Sequence, residues 1–190
     1  EVDFAVHSLK DVPSQLADNL IIASIPKREK VNDVFISSDG SSLDKIKPGS
    51  VIGTSSLRRA VQITRQRSDV TVKPIRGNIE TRIKKISGET FDAVVLAQAG
   101  ISRLGVDVNF TLLSTDDFSP SPGQGAIAIV ARTDDSQTIK MLKKIEDADS
   151  RLEIDAERAL SDFIDSGCKF PLGAYAKSDG AEMTLTVCAF

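Results

Sequence analysis

Between residues 50 and 104, short apolar runs alternate with amphipathic segments, and no other feature of the chain limits its fold so tightly. Residues 50–53, 70–75 and 93–96 (within 91–97) read as strands. Residues 57–66, 79–86 and 98–104 read as helices. Thr54, Ser55 and Ser56 stand where the first helix needs an N-cap, and Asn78 opens the second. Strand and helix in strict alternation call for βαβ units and a parallel sheet.

The flanks are weaker in pattern but readable. Strands are expected at 3–7, 20–25, 33–37 and 126–131, a short helix at 41–46 behind serine, and a helix at 136–145. Leu152, Ile154, Ala156, Ala159, Leu160, Phe163 and Ile164 recur at helical spacing, so 150–164 reads as a core-facing helix. Gly167 suits its left-handed end, and Pro171 forbids its continuation. Residues 174–190 alternate around Asp179-Gly180, a hairpin signal. Links at 27–32 and 115–125 flank the α/β block. Residues 1–26 and 126–146 together make only about fifty residues, too few for a core of their own. They are expected to pair with each other around an inserted domain, with part of their own domain missing. The final hairpin also reads as incomplete.

Composition excludes several functions. The chain has 190 residues, is 41% hydrophobic and carries a net charge of −3, which argues against a general nucleic-acid or anionic-membrane surface. Its apolar runs stay well short of a membrane span, and no signal segment opens it. It begins at Glu1, so its N-terminus is expected to have been removed or not observed. With Cys168 and Cys188 far apart and His7 the only histidine, neither a zinc site nor a disulfide scaffold is expected. One tyrosine and no tryptophan leave little surface for stacking bases.

The arginines fall where a ligand site would. Arg58 and Arg59 open the first helix, Arg76 ends the next strand in Arg76-Gly77-Asn78, Arg82 follows early in the second helix, and Arg103 ends the third. Strand C-termini and helix N-termini share one edge of a parallel sheet, and ligands bind there. Cations at helix N-termini oppose the macrodipole, so an anionic ligand would offset their cost. Thr54, Ser55 and Ser56 add hydroxyl donors, and guanidinium forks match carboxylates or phosphates. A phosphate-binding GxxxxGK[ST] loop is absent. Two weaker clusters are His7-Ser8-Leu9-Lys10-Asp11-Val12-Pro13, whose aspartate could hold a cation or move a proton, and Pro122-Gly123-Gln124-Gly125, whose glycines allow close backbone approach. Taken alone, Cys168 in Ser166-Gly-Cys-Lys-Phe-Pro-Leu-Gly173 reads more readily as a small buried thiol than as a working one.

In order, His-Ser-Leu-Lys-Asp-Val-Pro (7–13), Gly-Thr-Ser-Ser-Leu-Arg-Arg (53–59), Arg-Gly-Asn (76–78) with Thr81-Arg82, Leu-Ala-Gln-Ala-Gly (96–100) with Arg103-Leu-Gly105, Gly-Gln-Gly-Ala (123–126), Ala-Glu-Arg (156–158) and Gly-Cys-Lys-Phe-Pro-Leu-Gly (167–173) resemble the porphobilinogen deaminase, or hydroxymethylbilane synthase, family over essentially the whole chain. The resemblance implies two type II periplasmic-binding-protein-like α/β domains with the active-site cleft between them, and a smaller α+β third domain. Domain 1 would be 1–26 with 121–146, lacking its N-terminal part. Domain 2 would be 27–120, inserted, and domain 3 would be 147–190, truncated.

The implied activity joins four porphobilinogen molecules head to tail with loss of ammonia, then releases hydroxymethylbilane by hydrolysis, in haem, sirohaem and cobalamin biosynthesis. The implied cofactor is a dipyrromethane held by a thioether to Cys168. Asp11, with Lys10, matches the catalytic position, where a fixed carboxylate stabilises a cationic pyrrole and helps move protons. Lys10, Asp11, Ser8, Thr54, Ser55, Ser56, Arg58, Arg59, Arg76 and Gly77 match cofactor-binding positions. Arg76, Asn78, Arg82, Arg103 and Gln124 match substrate-binding ones, Gln124 at a crossing between domains where it would permit their movement. No metal, nucleic-acid or membrane partner is implied, and the enzyme is expected to be a cytoplasmic monomer. The 190-residue piece alone is expected to be inactive. The rival readings are a solute-binding domain that captures a small anion, and a regulatory effector-binding domain. The first leaves Lys10-Asp11 and the Cys168 loop unexplained, and the second lacks a DNA-binding helix pair.

Overall fold

The computed structural model describes residues 2–88, 90–164 and 171–190. Its strands and helices are β1 (Phe4–Ser8), β2 (Leu20–Ser24), β3 (Asp33–Ser37), β4 (Val51–Gly53), α1 (Leu57–Gln66), β5 (Thr71–Lys73), α2 (Ile79–Lys84), β6 (Ala93–Ala97), α3 (Gln98–Leu104), β7 (Thr111–Leu112), β8 (Ile127–Arg132), α4 (Ser136–Leu142), α5 (Ala148–Ile164), β9 (Leu172–Ser178) and β10 (Met183–Ala189). Short 3-10 turns lie at Leu9–Asp11, Lys85–Ser87 and Lys143–Ile145. The chain divides into two compact units, residues 31–120 and residues 2–30 with 121–164 and 172–188.

The 31–120 unit is a five-stranded sheet ordered β5-β4-β6-β3-β7. β4 is parallel to β5 and β6, but β3 is antiparallel to both β6 and β7. The sheet is therefore mixed rather than parallel. The βαβ run governs only β4, β5 and β6; β3 precedes it, and its direction is not written in its periodicity. Both faces of the sheet are covered. Phe35, Ile52, Ala93 and Val95 pack with Ile63 of α1 on one side, and Val34, Ile36, Val94 and Leu96 with Ile101 of α3 on the other. Burial on both sides is why these strands read as unbroken apolar runs.

Four local expectations are corrected. Residues 41–46 form turns, not a helix: the N–H groups of Lys45 and Ile46 both donate to Ser42 O, at 3.0 and 2.9 Å, and the pattern goes no further. One turn fixes several dihedrals for little hydrogen bonding, and Pro48 and Gly49 follow at once. The strand expected at 70–75 is only Thr71–Lys73, and the two-residue β7 was not expected. The helices expected at 79–86 and 136–145 each tighten into a 3-10 turn before they end.

In the other unit β8 lies between β1 and β2, antiparallel to both. Ala126 and Ala128 pack with Leu9, Ile25 and Ile154 of α5, while Ile129 and Ala131 pack with Ala23 and Leu142 of α4. α5 begins two residues before the apolar pattern, because Asp147 Oδ1 accepts the Ser150 N–H at 2.9 Å. β9 and β10 form the expected two-stranded sheet. At its turn Asp179 Oδ1 accepts the Ala181 and Glu182 N–H groups, and Gly180 takes φ +91°. The expected helix end at Gly167 and the Cys168 site lie outside the described residues. Among the described residues no helix is long and apolar enough to cross a membrane.

Candidate functional site

In the 31–120 unit, β4 and β5 are parallel, so the segments leaving them share one edge. That edge gathers Thr54, Ser55, Ser56, Arg58, Arg59, Arg76, Gly77, Asn78 and Arg82. The hydroxyls expected to face a ligand have local duties. Ser56 Oγ caps α1 by accepting the Arg59 N–H, and Thr54 Oγ1 accepts the Ser56 N–H at 3.2 Å. Ser55 Oγ donates to Ile75 O at 2.7 Å and accepts the Ile75 N–H at 3.1 Å, tying the two strand ends together. Asn78 caps α2 as expected, its Oδ1 accepting the Thr81 N–H at 2.8 Å.

The arginines separate into two groups. Arg58 and Arg59 are buried, only 5% and 6% exposed, and both meet Asp33, which is fully buried. Arg58 Nη2 donates to Asp33 Oδ2 at 2.8 Å and Arg59 Nη2 to Asp33 Oδ1 at 2.7 Å. Arg59 Nη1 donates to Val95 O at 3.1 Å, and Arg58 Nη1 to Ser119 O. The Arg58 guanidinium also lies 5.9 Å from the Phe118 ring centroid. The carboxylate that offsets the cost of cations at the start of α1 is thus internal. Burial pushes the Asp33 carboxyl up, but Arg59 and then Arg58 outweigh it and hold the group below its ordinary value. Burial lowers Arg58, with Asp33 opposing.

Arg76 is exposed, and its carbonyl accepts from Lys85 Nζ at 2.9 Å. Arg82 Nε donates to Gly77 O at 2.7 Å. Because α2 has only six residues, Arg82 belongs as much to its last turn as to its first, and the dipole penalty expected there does not arise. Arg82 is lowered first by burial and then by the charge of Arg59. Arg103 lies about one and a half turns along α3 from this edge. The donor set fits a carboxylate-bearing group such as a dipyrromethane: positive charge exceeds Asp33, and the buried Arg58 Nε makes no hydrogen bond among the described residues.

In the other unit, β1 ends at Ser8, and Lys10 and Asp11 follow in the 3-10 turn. Leu9 anchors that turn: it is buried, and its N–H donates to Ala126 O at 3.0 Å. Asp11, His7 and Ser8 are exposed and Lys10 half-buried. Gly123, at φ +72°, packs against Leu9, and a Cβ there would come 3.1 Å from Lys10 N. Gln124 is buried, its carbonyl accepting from Arg28 Nε at 3.0 Å.

Sequence reasoning missed Arg28, Asp33, Glu157 and Arg158. Glu157 is fully buried and takes Arg28 in a fork, at 2.7 and 3.0 Å. Its oxygens also accept the N–H groups of Gly123 at 2.6 Å and Ala176 at 2.8 Å. Burial pushes the Glu157 carboxyl up, against the pull of Arg28. Arg158 Nη2 donates to Pro13 O at 2.9 Å and to Ser14 O, holding the far side of the Asp11 turn. The Ala-Glu-Arg motif at 156–158 was the available signal, but its partners lie far away in sequence. Cys188 is a free, half-buried thiol on β10. An open groove of about 550 Å³ lined by Leu20, Ile22, Ile139 and Arg151 holds none of the expected site residues.

The comparisons bear on what this arrangement serves. Residues 1–140 match the family model described as "Porphobilinogen deaminase, dipyromethane cofactor binding domain". A probable porphobilinogen deaminase from Nitrosopumilus maritimus is 83% identical over all 190 residues, which cover 61% of that protein. Porphobilinogen deaminases from Brevibacillus brevis and Listeria innocua are 45% and 47% identical over 98% and 94% of the chain, covering 61% and 59% of those proteins. The chain thus spans about three-fifths of the length of these relatives. Among solved structures, a YaeC-family lipoprotein from Enterococcus faecalis aligns over 74% of the chain and 68% of that one, at 14% identity and a TM-score of 0.44. By its sequence the chain belongs to the porphobilinogen deaminase family.

Proposed function

We propose that the full-length protein containing this chain is a hydroxymethylbilane synthase, a transferase that condenses four porphobilinogen molecules head to tail with loss of ammonia and releases hydroxymethylbilane. The observation that carries this reading is the family match over residues 1–140 together with the 83% identical relative. The substrate is porphobilinogen, and the enzyme is a cytoplasmic monomer with no nucleic-acid or membrane partner.

Cys168 would hold a dipyrromethane by a thioether, and that group would supply the primer to which substrate units are joined. Asp11 stabilises the positive pyrrole system and moves protons, with Lys10 beside it on the same turn. Leu9 and Gly123 keep that turn against the 123–126 segment, and Arg158 holds its other side; Asp11 itself stays exposed. Thr54, Ser55, Ser56, Arg58, Arg59, Arg76 and Gly77 form the cofactor edge of the 31–120 unit, and Ser8, at the end of β1, serves the cofactor as well. Arg58 and Arg59 act there as a fixed source of positive charge, and Ser55 and Ser56 hold the backbone. Arg76, Asn78, Arg82, Arg103 and Gln124 serve the substrate, with exposed Arg76 and half-buried Arg82 taking its acetate and propionate groups.

Asp11→Ala in the full-length holoenzyme tests the site. Porphobilinogen still binds and turnover falls about a hundredfold or more, as for loss of a general acid–base or charge-stabilising group. Turnover equal to wild type excludes the assignment.

A further inference from the structure

Asp33 carries a role that none of the motifs assigned. It opens β3 and is fully buried, and each of its oxygens takes one guanidinium, Arg59 on Oδ1 and Arg58 on Oδ2. The plane of one short carboxylate therefore sets the angle between two arginines. Each arginine is fixed at a second point, Arg59 by Val95 O and Arg58 by Ser119 O. Gln62 fixes Ser119 in turn, accepting its N–H at 2.6 Å and donating to its carbonyl at 3.2 Å. Phe118 backs the Arg58 guanidinium.

Charge neutralisation alone does not explain this arrangement. One carboxylate faces two buried guanidiniums, and the charge of Arg59 also reaches Arg82. Asp33 leaves the cluster positive while taking one terminal nitrogen of each buried arginine. That combination fixes direction and preserves attraction for anions. We propose that Asp33 is a positioning residue that aims Arg58 and Arg59 at the carboxylates of the Cys168-linked group and of the incoming substrate. This rests on the function proposed above.

The chemistry separates aiming from simple pairing. In Asp33→Asn one carboxylate oxygen becomes an amide N–H₂, which faces a guanidinium donor with another donor and releases that arginine. In Asp33→Glu the charge is kept, but the carboxylate moves by one methylene and both arginines are displaced. Both variants are made in the full-length enzyme. Three quantities are read: the fraction of chains carrying the Cys168-linked mass, KM against kcat for porphobilinogen, and the melting temperature. Asp33→Glu is expected to lower cofactor loading and raise KM about tenfold or more, with kcat little changed, a loss of binding rather than of chemistry. Wild-type loading and KM in Asp33→Glu overturn the proposal, as does a loss confined to melting temperature.

If either single variant fails to fold, Arg59→Gln is compared with Arg59→Gln/Asp33→Leu, in which removal of a cation offsets removal of the carboxylate and no acceptor is left for Arg58. Aiming predicts a further rise in KM in the double variant, because Arg58 is released as well. KM equal to that of Arg59→Gln overturns it. The wild-type mass keeps the two readings apart. No adduct on wild-type Cys168 refutes the proposed function, whereas a loaded wild type with equally loaded Asp33 variants refutes only the role of Asp33.

Discussion

Asp33 and Glu157 are both fully buried carboxylates gripped by arginine, yet their carboxyls shift in opposite directions. For Asp33 two guanidiniums outweigh burial, so its folded pKa lies below the ordinary 3.8. Its contribution to stability is complete above that value and is lost as pH falls through the lower folded one. For Glu157 burial outweighs Arg28, so its folded pKa lies above 4.5. The folded state then holds the proton more tightly, and stability declines as pH rises from 4.5 through the folded value. Acid titration followed by circular dichroism should show the first limb in wild type and its absence in Asp33→Asn. In Glu157→Gln the decline above 4.5 should vanish. Gly123 supplies a third test at this scale. Its φ of +72° and its approach to Leu9 and Lys10 leave no room for a Cβ, so Gly123→Ala should cost about 1–3 kcal/mol in urea unfolding.

At the scale of elements, the caps were the legible part. Ser56 and Asn78 mark the starts of α1 and α2 in sequence, and each accepts the backbone N–H that its position predicts. Ser56→Ala and Asn78→Ala should each cost about 1 kcal/mol, read from the shift in the urea midpoint. The same local chemistry misled at 41–46, where serines and Gly40 favour turns and too few residues follow to propagate a helix. β7 escaped because two residues carry no periodicity. The direction of β3 escaped because an antiparallel and a parallel strand share a period of two. The site was legible as a set of arginines at one edge, since strand and helix ends follow from the alternation. The division of that set into buried Arg58 and Arg59, half-buried Arg82 and exposed Arg76 was not. It depends on Asp33, 25 and 26 residues away from its partners, and Asp33 looked only like the start of a strand.

Over the whole molecule, each unit closes around one buried ionic group. In residues 31–120 it is Asp33 with Arg58 and Arg59. In the other unit it is Glu157 with Arg28, which also holds Gly123 and Ala176 and so joins α5, β9 and the 121–125 turn. Breaking a buried pair leaves an uncompensated charge, so Glu157→Ala should cost about 3–5 kcal/mol and lower the melting temperature of the whole unit, α5 and β9 included. Cys168, on which the functional reading depends, follows α5 in the sequence. Intact-mass spectrometry with peptide mapping of the full-length protein, made where porphobilinogen is available, tests that reading most directly. A mass excess equal to a dipyrromethane, mapped to Cys168 and lost in Cys168→Ser, is the expected result. An active enzyme with unmodified Cys168, or with the added mass on another residue, would contradict it.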